Sequence, residues 1–178
     1  MAIAARPPAA SAPNALWIDN SGGSYSIDYT PSAPQLTKIT ATLAVDFSRF
    51  SGGVAPEVTF IAIGARAAAF DHCYVALQVN LNGLGLYMQS HCGITNVNKY
   101  KTVSASLPSA STFVPIRFTV DLAAGTAETV LADQPLVRLD LQFSTPTTGS
   151  PHVELGLFGV SGLTGPEIAL DDVLVTTE

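Results

Sequence analysis

The residues with the most chemical potential in this chain lie in one stretch, HCYVALQVNLNGLGLYMQSHC, residues 72–92. It holds both cysteines, Cys73 and Cys92, and between them Tyr74, Gln78, Tyr87, Gln89 and His91. Two opposed thiols can close a disulfide. Phenol rings, carboxamides and an imidazole are the groups that grip a sugar, the rings stacking on its C–H face and the amides bonding its hydroxyls. Elsewhere, Asp171 and Asp172 alternate faces on the final strand, so at most one points inward, and a buried carboxylate needs a cation or paired donors.

Groups arranged for bond cleavage are harder to find. A configuration-retaining glycosidase needs two carboxylates about 5 to 5.5 Å apart. Glu57, Glu128, Glu154, Glu167 and Glu178 each lack a second carboxylate two residues further on. GVSGL, around Ser161, is not a nucleophile elbow, because no strand-to-helix turn exists to expose the hydroxyl. His72, His91 and His152 show no helical metal spacing. The expectation is therefore a chain that is not an enzyme.

The elements that position these residues follow from alternation. Asn82-Gly83 separates two alternating apolar runs, and both residues accept the positive φ of a type I′ turn. Taking them as the turn pairs Leu81 with Leu84, Val79 with Leu86, Leu77 with Met88, Val75 with Ser90, and Cys73 with Cys92. Opposed strand residues have Cα atoms about 5 Å apart, within reach of a disulfide. A two-residue turn puts the cysteines on a hydrogen-bonded rung, which leaves a wider loop open; two buried thiols are the alternative to the bridge. The other face then carries Tyr74 opposite His91, Gln78 opposite Tyr87, and Asn80 opposite Gly85. Neighbouring strands could add Arg138, Asp140 and Gln142, or His152 and Glu154. An ordinary solvated sheet face is the plainer reading of the same residues.

The rest of the chain repeats the pattern. TKITATLAVDFSRF puts Ile39, Ala41, Leu43, Val45 and Phe47 on one face. LWID, SYSIDY, PEVTFIAIGA, KTVSASL, VPIRFTVDL, GTAETVLA, PLVRLDLQF, HVELGLFGV and EIALDDVLVTT read as further strands, parted by Gly/Pro turns. Only ARAAAF, residues 65–70, offers a helical alternative. About a dozen short strands predict an all-β, antiparallel sandwich in a single domain, residues 15–178, behind a weakly ordered Ala/Pro/Ser arm, residues 1–14. Trp17 reads as a core or edge plug. With 12% charged and 47% apolar residues and a net charge of −6, the composition suits a secreted β protein and argues against nucleic acid. No apolar run approaches the ~20 residues of a membrane span.

FVPIRFTVDLAAGTAETVLADQPL and VELGLFGVSGLTGPEIALDDVLVTT resemble the concanavalin A-like, laminin-G-like jelly rolls of bacterial extracellular proteins. The closing LDDVLV also resembles the last strand of galactose-binding-like carbohydrate modules, another jelly roll. The resemblance implies a jelly-roll fold; with the hairpin's sugar-gripping groups and no catalytic signature, the reading is a non-catalytic, carbohydrate-binding, lectin-like module outside the cytoplasm. The second family implies a structural calcium held by Asp172, with Asp171 in reserve. The other reading is a structural surface, coat or appendage subunit, a homo-oligomer assembling through its sandwich and arm.

Overall fold

Period-two alternation becomes strand after strand. The computed structural model describes residues 2–4, 15–19, 25–29, 37–48, 50, 57–66, 73–80, 85–92, 97–107, 113–132, 134–141, 150–158 and 167–178. Every regular element among them is a strand: β1 (Ala2–Ala4), β2 (Ala15–Asp19), β3 (Tyr25–Tyr29), β4 (Lys38–Asp46), β5 (Glu57–Arg66), β6 (Cys73–Asn80), β7 (Gly85–Cys92), β8 (Val97–Ser104), β9 (Val114–Asp121), β10 (Thr126–Leu131), β11 (Val137–Asp140), β12 (Ser150–Phe158) and β13 (Glu167–Thr177). They form a seven-stranded sheet, β1-β2-β13-β4-β9-β10-β11, and a six-stranded sheet, β3-β12-β5-β6-β7-β8, with every pairing antiparallel.

The inner faces of the two sheets make one core. Ile39, Ala41, Leu43, Val45 and Phe47 are buried on one side of it, as their alternation predicts. Val75, Leu77, Val79, Leu86 and Met88 are buried on the other, with Ser90 among them. Phe47 meets Phe60 edge to face with ring centroids 5.5 Å apart.

Two irregularities break the alternation. In β5, Thr59 faces Gln78 and Ile61 faces Leu77, so Phe60 is an extra residue. The bulge sends both Phe60 and Ile61 into the core and leaves Thr59 on the outer face. In β13, Asp171 faces Ala44 and Leu174 faces Thr42, so Asp172 and Val173 together oppose Leu43. Asp172 takes φ 50°, a left-handed value that aspartate tolerates better than most residues. This is why Leu174 is 58% exposed where simple alternation would bury it.

Several expected boundaries move. Ala65 and Arg66 close β5 rather than open a helix, and residues 67–70 lie outside the described residues. Ala2–Ala4, expected within the arm, pair with β2, where Ala2 faces Trp17. β8 begins at Val97, four residues before the Lys101 start that the alternation suggested. Asp172 lies within the β13 bulge, and of the two aspartates Asp171 is buried and Asp172 exposed.

Candidate functional site

The hairpin has the register read from its sequence. Cys73 faces Cys92, Tyr74 faces His91, Gln78 faces Tyr87, and Asn80 faces Gly85. The cysteines are joined, with Cα atoms 4.0 Å apart, and Cys73 and Cys92 are both buried. Residues 81–84, the expected turn and its flanks, lie outside the described residues.

Strand pairing extends this face in rows. One row runs His152, Gly64, Tyr74, His91, Asn98 across β12, β5, β6, β7 and β8. The next runs Glu154, Ala62, Ala76, Gln89, Tyr100, and a third runs Thr59, Gln78, Tyr87, Thr102. At ~4.8 Å per strand, the Glu154 and Gln89 positions are about 14 Å apart. Between them in the register lie Ala62 and Ala76, both small and both buried. In the backbone register Arg66 of β5 pairs with Ser150 of β12.

The side chains are tied to one another. Gln78 Nε2 donates to Thr59 Oγ1 at 3.0 Å and to Gln89 Oε1 at 2.5 Å. Gln89 Nε2 donates to Tyr100 OH at 2.9 Å and to Asn98 Oδ1 at 3.3 Å. His91 Nδ1 lies 2.6 Å from the same Asn98 oxygen. The Tyr74 and His91 rings are 5.0 Å apart between centroids, tilted by 43°. Gln78 and Gln89 are each only 6% exposed. The expectation that both amides would stand open to a ligand is thus corrected: their donors bond within the face, as a buried amide must. The outward groups are the half-buried Tyr74, Tyr87 and His91 and the exposed Asn98 and Tyr100.

Gly85 lets this end of the face close. A Cβ there would meet the backbone oxygen of Ser104 at 3.0 Å and the Tyr87 ring at 3.1 Å. Thr59, Asn98 and Tyr100 were not foreseen as site residues. Asn98 and Tyr100 carry a readable signal, since Asn98, Tyr100 and Thr102 alternate, but the strand had to be started earlier to see it. Thr59 depends on the β5 bulge.

Other expected participants fall elsewhere. Arg138 and Asp140 lie on β11, which pairs with β10 in the opposite sheet rather than with a hairpin strand; Gln142 lies outside the described residues. Glu154 does share the face, half-buried on β12. Asp171 Oδ1 accepts the backbone N–H of Asp172 at 2.8 Å, capping its own bulge, while the Asp172 side chain is exposed. Among the described residues no group of three or more His, Cys, Asp or Glu is placed to hold a metal ion. Nor is any helix among them long and apolar enough to cross a membrane.

No protein-family model and no curated protein matches the chain. Solved structures do. The alginate lyase vAL-1 from a Chlorella virus superposes with a TM-score of 0.65 at 10% identity, covering 99% of this chain and 88% of that one. The Family 7 alginate lyase A1-II′, solved in complex with substrate, gives a TM-score of 0.66 at 12% identity over 93% of this chain and 78% of that one. An alginate lyase from Pseudomonas aeruginosa gives 0.55 at 12% identity over 80% and 65%.

These likenesses correct the expectations of a non-catalytic binding module, of a structural subunit as its rival, and of no enzyme. Alginate lyases superpose along almost all of this chain, and the carboxylate pair that the sequence lacks is not the test of their chemistry. The physical reason for the error is that paired carboxylates test for hydrolysis, whereas an elimination can be run by other acids and bases. At this level of identity the likeness establishes the fold: an all-β jelly-roll sandwich of two antiparallel sheets, the fold of these alginate lyases.

Proposed function

We propose that this chain is a polysaccharide lyase that cleaves an acidic, uronate-containing polymer of the alginate class by β-elimination. The observation that carries the reading is the linked group His91, Asn98, Gln89 and Tyr100 on the outer face of the six-stranded sheet. The fold shared with alginate lyases supports it.

Elimination asks for three things. The uronate carboxylate must be held so that charge moving onto it from C5 is stabilised. A base must take the C5 proton, and an acid must protonate O4 as it leaves. Asn98 has its Oδ1 committed to His91 and Gln89, so its NH2 arm is the donor proposed for the carboxylate. His91 Nε2 is the proposed base. The electron pair of the C5–H bond becomes the C4=C5 double bond, the C4–O4 bond breaks, and the Tyr74 hydroxyl gives its proton to O4. His91 then returns a proton to the tyrosinate, directly or through water. Tyr87, one row along, provides a ring for a neighbouring sugar to stack on. In this reading Tyr74, Tyr87 and His91 meet the sugar, and Gln78 and Gln89 act as supports rather than sugar contacts.

The Cys73–Cys92 bridge adjoins Tyr74 and His91 in sequence and pins their strands at that end. It also supports an oxidising, extracytoplasmic setting, where a polysaccharide would be met. The test is an ultraviolet assay for the unsaturated uronate product on polymannuronate, polyguluronate and neutral laminarin. Absorbance rising with at least one acidic polymer and not with laminarin is expected. No rise with any uronate polymer would refute the proposal.

A further inference from the structure

The amide chain beneath His91 has a direction, and that direction reaches the imidazole. Gln78 spends both N–H bonds, on Thr59 Oγ1 and Gln89 Oε1. Gln89 spends both of its own, on Asn98 Oδ1 and Tyr100 OH. Among buried side-chain polar atoms of the described residues, only Gln78 Oε1 is left without a partner. Turning every amide over would keep the contacts but reverse their polarity. The orphan would then be the Gln78 NH2, with two unused hydrogens in a side chain that is 6% exposed. An unpaired buried N–H is rarer, and so costlier, than an under-used carbonyl. The polarity with Gln78 as donor is therefore favoured from the buried end outward.

That polarity makes the Asn98 oxygen the atom that faces Gln89 and His91. An oxygen there can only accept, so His91 Nδ1 must carry the hydrogen in their 2.6 Å contact. In the neutral ring the lone pair then sits on Nε2. We infer that Thr59, Gln78, Gln89 and Asn98 form a relay that holds His91 in its Nδ1–H tautomer, with Gln78 as a buried positioning residue. The consequence for catalysis rests on the lyase reading, in which Nε2 is the base. The tautomer itself does not.

The experiment reads both. Nitrogen-15 NMR of the full chain, with the His91 signal assigned by its loss in His91→Asn, should show the Nδ1–H pattern for the neutral ring. In Gln78→Leu the buried donor is gone and Gln89 can turn over, so a mixture of tautomers is expected. On a uronate polymer, kcat should fall about two- to tenfold, following the fraction of competent tautomer, with KM little changed. Adding Asn98→Asp should restore the Nδ1–H pattern, because a carboxylate at that position can only accept. Asn98→Leu, at an exposed site, gives the same reading if Gln78→Leu does not fold. An unaltered His91 tautomer in the folded variants would overturn the relay. A tautomer that shifts as expected in a protein without lyase activity would leave the relay standing and remove the lyase reading alone.

Discussion

The outer faces of the two sheets begin from the same alternation and use it differently. On the seven-stranded sheet two outward contacts are simple pairs. Thr40 meets Thr119 at 3.1 Å, and Arg138 sits 3.7 Å from Glu128 with their side chains 56% and 35% exposed. On the six-stranded sheet Gln78 and Gln89 are buried and bonded into one connected group. Residue types do not separate the two faces, since both carry polar side chains on alternate positions. Commitment does: a buried amide must be satisfied, so a chain of them fixes the groups at its outer end. A surface pair fixes little, because water competes for each partner.

If the hairpin face is catalytic, substitutions there should act on rate, while substitutions on the other face should act weakly on stability. The largest effect is expected from His91→Asn. A misplaced or missing general base costs about 10²- to 10⁴-fold in kcat, measured as product formation, with the melting temperature nearly unchanged. A large loss of stability instead would make His91 a structural residue.

Removing the bridge by Cys73→Ala with Cys92→Ala comes next. Closing so short a loop is worth on the order of 2 to 3 kcal/mol, because the hairpin already orders part of it. Denaturant unfolding would measure this, and kcat/KM should fall with it as the Tyr74 and His91 strands loosen. Two free thiols titrated in the unreduced wild type would dispose of the bridge altogether.

Gln89→Leu should cost about 1 to 3 kcal/mol, since it strands a Gln78 hydrogen bond donor in the interior. Activity should drop as well, because Asn98 loses its support. Glu128→Ala marks the bottom of the scale. An exposed ion pair contributes well under about 1 kcal/mol, and turnover should be untouched. A matching loss of activity from Glu128→Ala would erase the contrast between the faces.

The register of β6 against β7 was legible in the sequence, because two independent signals, the Asn82-Gly83 dipeptide and the cysteine spacing, agree on it. The core stripe Ile39 to Phe47 was equally plain. What the sequence hid follows from physics that is not local. Thr59 sits under Gln78 only because Phe60 bulges, and a bulge leaves no mark in a period-two pattern. The exposure of Leu174 has the same origin at the β13 bulge. Asn98 and Tyr100 were masked by the start of β8. Arg138 and Asp140 were misassigned because strand order in a sandwich depends on long-range pairing, and β11 joins β10 rather than the hairpin. The linked polar group was illegible for another reason: amides, tyrosines and a histidine form no short motif, and only their convergence on one face brings them together.

The central claim is that this face breaks a glycosidic bond by elimination through His91. Mass spectrometry of the fragments released from polymannuronate and polyguluronate tests it most directly, because elimination gives one fragment lighter by one water than hydrolysis would. Unsaturated oligouronates from the wild type, absent from folded His91→Asn, are the predicted result. Saturated fragments, no fragments from any uronate polymer, or unsaturated fragments at undiminished yield from His91→Asn would contradict it.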